Sequence, residues 1–596
     1  FIALTTFLTN VLSFVFKATF LSLLTRDCLT LFLAWAVFAI GQLPLLIKDN
    51  NMRFYCLFVN KKVNIFKIIY NCEMSLSLKN KFFQNISTVS FFTMLSRVFG
   101  YVRDAAIFIF ISNTSGALDA FFVAFRIPNF FRRIFGEGAL SIAYIPVLSD
   151  YKNNKEENET KDFINSSLTT LAITLFIISI IGVLIAPILI IIIAPGFINS
   201  EFGQNELSSS LLRITFPYML FICLTAVAGS ILNTYEKFAV PAFTPVILNI
   251  SLIISAIFIS PYFDKPVFAL AWGILIGGIG QLSFQLYPLR KMGLFPRFKL
   301  IKNHPGIKKV KELMLPVIFG SSVTQINLIF DTVIASFLIT GSISWLYMSD
   351  RFVELPLALF GISIATVLLP KLSEYYSKSD SVSYNSTLNW GLKLGIIVAL
   401  PTTMGLILLS EPILISLLQY REFSTHDVQM TSLSLMAFAS GLPGMIGAKI
   451  LVTNYYSRKN TGYPVKAALI AVICNFILNI IFVLYLINSE FVGTHLGLAL
   501  ATSISAYVNF YFLLKTSIRT KIITIDVSVK KVLVKSIIAT VIMSVFILYF
   551  DLSLTAWVNL NLVDRLVNLL GIVITSAAIY FLLLITFKIL PKNINS

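Results

Sequence analysis

Charge is scarce in this chain: Asp, Glu, Lys and Arg make up 12% of 596 residues, against 57% hydrophobic ones. That ratio leaves too little polar surface to coat a soluble globule, and it places the chain among polytopic helical membrane proteins. Histidine and cysteine are scarcer still, with three and five residues. Cys28, Cys56, Cys72, Cys223 and Cys474 are scattered and form no CxxC pair, which argues against a disulfide framework and a thiolate metal centre. Acidic residues number 28 against 46 basic ones. A net charge of +18 would point to nucleic acid in a soluble protein. Here no basic-aromatic module is present, and most Lys and Arg stand in short loops beside apolar runs, where membrane topology accounts for them, so no nucleic-acid partner is expected. Long polar loops are missing too. The connections near 196–207 and 410–428 are too small and too poorly charged to carry the catalytic carboxylates of a membrane glycosyltransferase, so a transporter is expected and not an enzyme.

What the chain does contain is apolar runs long enough to cross a bilayer. From Met74 onward about fourteen spans are expected, the first at 86–111 and the last at 566–588. The loops between them alternate in charge. Arg290, Lys291, Arg297, Lys299, Lys302, Lys308, Lys309 and Lys311 crowd one connection, whereas 112–116, 196–207, 341–342, 488–493 and 551–564 carry no Lys or Arg. Cytoplasmic loops collect positive charge, so both ends of the 74–596 core are expected in the cytoplasm. Residues 1–73 fit less well: they begin with Phe1, hold apolar runs at about 1–24 and 29–47, and turn basic and irregular before Met74. They are expected to be upstream sequence outside the working protein, with two extra spans as the alternative.

An internal repeat organises the remainder. Phe135-Gly136 … Pro146-Val-Leu-Ser-Asp150-Tyr151 returns as Phe360-Gly361 … Pro370-Lys-Leu-Ser-Glu374-Tyr375, and Ala186-Pro187-Ile-Leu-Ile returns as Glu411-Pro412-Ile-Leu-Ile, at an offset of 224 or 225 residues. Further on, Ile247-Leu-Asn249-Ile250 answers Ile477-Leu-Asn479-Ile480. An N-lobe at 74–290, a basic linker at 291–309, a C-lobe at 310–515 and two further spans within 516–596 are therefore expected. Six spans per lobe is an even number, so both copies enter the membrane in the same orientation, as a parallel repeat. Lobes so related commonly enclose a substrate site and rock about it.

Charges within the spans mark where function must be sought, because each is costly in hydrocarbon unless it faces a cavity or a partner. On span 1, Arg97 and Asp104 fall on one face two turns apart, and Arg103 is rotated away; this spacing predicts that Asp104 neutralises Arg97 while Arg103 finds another partner. On span 2, Asp119, Arg126, Arg133 and Glu137 form one stripe, with Asn129 beside it. On span 8, Arg351 and Glu354 are spaced as an ion pair, and Asp350 and Glu354 repel unless a cation lies between them. Arginine outnumbers carboxylate in the first-lobe spans, which suits an anionic, phosphate-bearing substrate.

Ser96-Arg-Val-Phe-Gly-Tyr-Val-Arg-Asp104, Leu118-Asp-Ala-Phe-Phe-Val-Ala-Phe-Arg-Ile-Pro-Asn129, Phe131-Arg-Arg-Ile-Phe-Gly-Glu-Gly138, Ala194-Pro-Gly-Phe197, Thr215-Phe-Pro-Tyr218 and the run from Ser344 to Glu354 resemble the MurJ (MviN) lipid II flippases of the MOP exporter superfamily. The resemblance implies an all-α bundle of fourteen helices, monomeric, whose last two form a groove for a polyprenyl tail. It implies a multi-pass protein of the bacterial inner membrane that works among membrane lipids. Its substrate would be lipid II, the undecaprenyl-pyrophosphate-linked disaccharide-pentapeptide precursor of peptidoglycan, carried from the cytoplasmic to the periplasmic leaflet. Another exporter of the superfamily, moving a different lipid-linked oligosaccharide or a drug, is the alternative. By the same resemblance Arg97, Arg103 and Arg351 are cavity arginines, and Asp104, Asp119, Asn129, Asp350 and Glu354 are sensitive acidic and polar positions. No organic cofactor is implied. Some members bind sodium, and the matching positions are Asp331, Asn475 and Asn479, whose competing role is hydrogen bonding between helices. A second carboxylate is not evident there.

Overall fold

Proline and glycine punctuate these apolar runs into helices, and they do so twice over. The computed structural model describes residues 81–589, apart from 114–115, 134–139, 302–303 and 521–522; the expectation for residues 1–73 therefore lies outside the described residues. Helices α1 (Lys81–Phe110), α2 (Ala117–Phe131), α3 (Leu140–Asn154), α4 (Glu157–Leu184), α5 (Ala186–Ile193), α6 (Gln204–Thr215), α7 (Tyr218–Thr234), α8 (Ala239–Ile254) and α9 (Val267–Lys291) come first. They are answered in order by α10 (Pro305–Ala335), α11 (Ser342–Pro356), α12 (Ser363–Ser377), α13 (Ser381–Leu408), α14 (Ser410–Leu418), α15 (Thr425–Ser440), α16 (Leu442–Tyr456), α17 (Gly462–Asn488) and α18 (Leu496–Arg519). Then α19 (Val527–Phe550), the short α20 (Leu554–Asn559) and α21 (Leu562–Thr586) stand outside the duplication.

Lengths match across the two halves. Both α2 and α11 have 15 residues, and both α4 and α13 have 28. The repeated Ala186-Pro187 and Glu411-Pro412 motifs fall where α4 gives way to α5 and α13 to α14. A proline lacks the N–H that would continue the helical ladder, so the chain restarts in a short new helix. Gly116 and Gly341 cap the N-termini of α2 and α11 with φ of +67° and +102°, a left-handed conformation that glycine adopts without a Cβ penalty.

Among the described residues, eleven helices or joined helix pairs are long and apolar enough to cross a membrane. The three further spans of the expected fourteen correspond to α1, α2 with α3, and α10, which fall outside that set, so the count of fourteen is not reached on this criterion. One reason is visible in α1, which carries Arg97, Arg103 and Asp104 within its length. Large aliphatic side chains such as Leu184, Ile192, Val545 and Leu548 are exposed, as expected for helices solvated by lipid. Where hydrocarbon surrounds the bundle, close contact between helices supplies the cohesion. On α9 a Cβ at Gly273 would meet Ser255 Oγ at 2.3 Å, and one at Gly277 would meet Leu248 Cδ1 at 2.8 Å, so these glycines let α9 lie tight against α8 and the π-turn that ends it.

The basic linker is docked against α4. Backbone N–H groups of Arg297, Lys299 and Ile301 donate to Asn165 Oδ1, Thr169 Oγ1 and Ser166 Oγ at 2.8, 3.1 and 3.2 Å, while Lys299 pairs with Asp162 at 2.6 Å. His304 then caps α10 by accepting from the Gly306 N–H at 3.1 Å, its ring lying beside Tyr151 and Phe163.

Candidate functional site

Helices α1, α2, α7, α8, α9, α10 and α11 enclose a cavity of about 910 Å³. Its wall includes Arg97, Arg103, Arg126, Arg132, Arg133 and Arg351 against Asp104, Asp350 and Glu354, a surplus of three positive charges that favours an anionic guest. Of the residues singled out in the sequence, Arg97, Arg103, Asp104, Asn129, Asp350, Arg351 and Glu354 all line this one cavity.

Asp104 is its centre, 1% exposed. It accepts from Arg103 Nε at 2.9 Å and Nη2 at 2.6 Å on its own helix, and from Arg351 Nε at 2.9 Å on α11. The Tyr347 hydroxyl donates to the same carboxylate at 3.2 Å. One buried carboxylate thus joins guanidinium groups from both halves. The expected pairing of Asp104 with Arg97 is overturned: Arg97 stands exposed, and Arg103 takes the carboxylate. Helical angles describe where Cβ atoms point, whereas a guanidinium on a three-carbon stem can fold along its own helix to reach the next residue. Arg103 is further fixed by donating to Asn249 Oδ1 at 3.1 Å, and Asn249 in turn donates to the Ser96 carbonyl at 3.1 Å. Arg351 forms the expected pair with Glu354 at 2.7 Å, so Arg351 is the cation that answers Glu354, while Asp350 faces the cavity exposed. Asn129 accepts from Arg132 Nε at 2.8 Å.

The α2 stripe faces the second half of the chain. Arg126 donates to the Leu328 carbonyl at 2.9 Å and to Thr332 Oγ1, both on α10. Asp119 lies away from the cavity, at the sealed end of the bundle. Its Oδ2 accepts from the Gly341 N–H at 2.6 Å, and its Oδ1 accepts from the Ser344 N–H at 2.9 Å and from the Ser344 hydroxyl. A carboxylate from the first half thereby caps the N-terminus of α11, where the helix dipole is positive. Further contacts close the same end: Gly196 N–H donates to Ser336 Oγ at 3.0 Å, and Glu422 N–H donates to the Ile109 carbonyl at 3.2 Å. Glu137, the last member of the stripe, lies outside the described residues.

Half-buried Asp331 and the buried Asn475 and Asn479 form a separate cluster. Asn479 Nδ2 donates to Asp331 Oδ1 at 2.7 Å and to Asn475 Oδ1 at 3.0 Å, and Asn475 Nδ2 donates to Thr502 Oγ1 at 3.2 Å. Asn327 supplies Asp331 Oδ2 with a longer bond of 3.3 Å. Asn479 Oδ1 is buried without a partner. One carboxylate surrounded by amide and hydroxyl oxygens fits a monovalent hard cation once the Asn479 amide turns over, whereas a divalent ion would lack charge. Among the described residues no group of three His, Cys, Asp or Glu side chains could hold a metal ion.

Reasoning from sequence missed Tyr347 and the pairing role of Asn249. The signals were present: Tyr347 stands one helical turn before Arg351, and Asn249 occupies the repeat position of Asn479. It also missed Gln281 and Gln285 on α9, whose spacing of four puts both on one face.

A family model described as "Lipid II flippase MurJ" matches residues 111–568. The "Probable lipid II flippase MurJ" of Vibrio cholerae serotype O1 is 39% identical over 517 residues, covering 85% of this chain and 96% of that protein. Among solved structures, "Lipid II flippase MurJ, inward closed conformation" superposes with a TM-score of 0.69 at 30% identity, covering 84% of this chain and 98% of that one. An inward-facing multidrug resistance MATE family transporter of the MOP superfamily shares the fold, with a TM-score of 0.58 at 15% identity over 74% of this chain and 98% of that one.

Proposed function

Because this chain belongs to the MurJ family of lipid II flippases, we propose that it carries the undecaprenyl-pyrophosphate-linked disaccharide-pentapeptide from the cytoplasmic to the periplasmic leaflet of a bacterial inner membrane. It does so as a transporter, by alternating access. The observation that carries this reading is the Asp104 carboxylate, which holds Arg103 of one half and Arg351 of the other in the wall of an arginine-rich cavity. The basic linker that joins α9 to α10 lies opposite the sealed end in chain order and, by the positive-inside rule, marks the cytoplasmic side. The state described here then offers its cavity to the cytoplasm and keeps the periplasmic end shut through Asp119.

Arg97 and Arg351 retain donors free to meet a pyrophosphate, which guanidinium groups grip in bidentate fashion. Arg103 has its Nε, Nη1 and Nη2 engaged, and acts by positioning Asp104 and completing the charge balance. An arriving pyrophosphate competes with Asp104 and Glu354 for Arg351. The bond network between halves loosens, the headgroup becomes the new bridge, and the lobes at 74–290 and 310–515 rock about it. The lipid tail stays in the membrane against α19 and α21. Asp331, Asn475 and Asn479 are the residues that would hold a sodium ion in the second lobe, where its gradient would supply part of the driving force; the membrane potential supplies another, about 2.3 kcal/mol per elementary charge per 100 mV. The working unit is a monomer with both ends of its 74–596 core in the cytoplasm.

The test is depletion of the native flippase in a bacterial host, with rescue by the chain begun at Phe1 and, separately, at Met74. Growth restored together with labelled lipid II at the periplasmic leaflet is expected. Failure of both chains, each shown to reach the membrane, sinks the reading.

A further inference from the structure

One wall of the cavity has no charge at all. Where α7, α8 and α9 meet, the lining includes Thr225, Ser230, Asn233, Thr244, Gln281 and Gln285. The two glutamines are each 2% exposed, and the Oε1 atom of each is buried without a hydrogen-bond partner. Their orientation follows from chemistry. Thr244 spends its hydroxyl proton on the Val240 carbonyl at 2.8 Å, so its Oγ1 can only accept, and Gln285 Nε2 donates to it at 2.8 Å. Gln281 Nε2 donates to the Thr244 carbonyl at 3.2 Å, a second group that can only accept. Neither amide can turn over without setting oxygen against oxygen, so both carbonyl oxygens are fixed in orientation within the cavity wall. Gly229 packs across from Gln285, where a Cβ would stand 3.4 Å from its Oε1 and crowd the same space.

Two fixed acceptors, buried and unanswered, call for a guest that brings donors. The guest's donors must be neutral, since the arginine surplus on the neighbouring wall repels a cation. Resting on the lipid-linked substrate proposed above, we propose that Gln281 and Gln285, held in place by Thr244, form a subsite for the hydroxyl or amide N–H groups of the headgroup beyond the pyrophosphate. This subsite reads what the lipid carries, while the arginines read only the phosphates. It makes the cavity selective for a loaded carrier over the bare polyprenyl pyrophosphate, which shares the pyrophosphate but lacks the sugar and peptide donors. Thr244 is a positioning residue, since its role is to turn the two amides.

The experiment compares wild-type protein with the Gln281→Met/Gln285→Met variant in lipid nanodiscs, Met keeping the length and flexibility of Gln with a weaker acceptor. Four probes are titrated: undecaprenyl pyrophosphate alone, the same lipid with the disaccharide only, with the monosaccharide-pentapeptide, and with the full disaccharide-pentapeptide. The variant is expected to bind the full lipid about tenfold or more weakly, the scale of one or two lost buried hydrogen bonds, while binding the bare pyrophosphate as wild type does. Loss confined to disaccharide probes assigns the donors to sugar hydroxyls, and loss confined to peptide probes assigns them to amide N–H groups. Thr244→Val should reproduce the effect in weaker form. Equal weakening toward all four probes would mean a folding defect and overturn the subsite, as would a variant that keeps the wild-type preference. A wild-type protein that prefers none of the loaded lipids would instead overturn the lipid-linked substrate itself.

Discussion

Asp119 Oδ2 accepts the Gly341 backbone N–H at 2.6 Å, tying the first half of the chain to the first turn of α11 in the second. Asp119 lies three residues beyond Gly116, and Gly341 is the repeat counterpart of Gly116, so the seal joins equivalent places in the two halves. Asp119→Asn keeps one acceptor but sets an amide N–H against the backbone donors and removes the charge at the helix N-terminus. The closed end should lose about 1–3 kcal/mol, shifting its opening equilibrium by roughly tenfold or more. A cysteine placed at Leu118, which is 1% exposed, in a background lacking native cysteines, should react with a membrane-impermeant thiol reagent severalfold faster in the Asn variant. Unchanged labelling would show that Asp119 is not part of the seal.

Arg103 and Arg97 should tolerate lysine differently. Three nitrogens of Arg103 are committed to Asp104, Asn249 and Tyr347, an arrangement that one ammonium cannot reproduce. Arg103→Ala and Arg103→Lys should both fail to rescue a flippase-depleted host. Arg97 stands exposed in the cavity with no partner to hold in place among the described residues, and Arg97→Lys, which keeps the charge but loses the bidentate fork, should rescue growth in part. Full rescue by Arg103→Lys would show that bare charge suffices at that position.

If Asp331, Asn475 and Asn479 hold sodium, replacing sodium with choline should lower the melting temperature of the purified protein, by linkage between folding and a ligand that binds only the folded state. Asp331→Asn should abolish that dependence while leaving the fold intact. A wild-type melting temperature indifferent to the replacement leaves the cluster as hydrogen bonding between helices.

Docking of the linker should weaken in acid. Burial lowers the pKa of His304 from its usual value, with the Asp162 carboxylate opposing; Lys299 also reaches Asp162, and Tyr151 faces the ring. A lowered folded pKa means the neutral ring is the form that contributes stability. That contribution is complete above the unfolded value of about 6.5 and is lost as pH falls below it. Protonation also removes the lone pair that accepts from Gly306. Hydrogen exchange at Gly306, corrected for its intrinsic rate, should speed up between about pH 7.5 and pH 5.5. His304→Asn, which can still cap α10 through its side-chain oxygen, should give a flat profile. Parallel profiles for the two proteins would exclude His304 as the titrating group.

Much of the site was legible from charge alone, because ionised groups survive in a bilayer only where a cavity or partner receives them. That Arg97, Arg103, Asp104, Arg351 and Glu354 each need a cavity or a partner could therefore be read before any distance was known, while the family resemblance implied which of them share one cavity. The Arg351 and Glu354 pair followed from helical spacing, since both ends sit on the same helix. Pairings between helices did not follow. Asp104 meets Arg351 across more than two hundred residues of chain, and nothing in local periodicity ranks that partner against Arg97.

The two halves make the same point. The repeat sets Asn249 and Asn479 in equivalent places, yet Asn249 offers its carbonyl to the guanidinium of Arg103 while Asn479 offers its amide to the carboxylate of Asp331. An amide carries a donor and an acceptor, and its sequence position does not say which faces the neighbour; the charge on the adjoining helix decides. The chain's composition and duplication determined that it is a helical membrane transporter of two related lobes, because hydrophobic length, loop charge and repeat offset are written in one dimension. The tertiary structure decided which charges meet, which end is sealed and where the unanswered glutamine oxygens point, because each depends on side chains brought together from helices far apart in sequence.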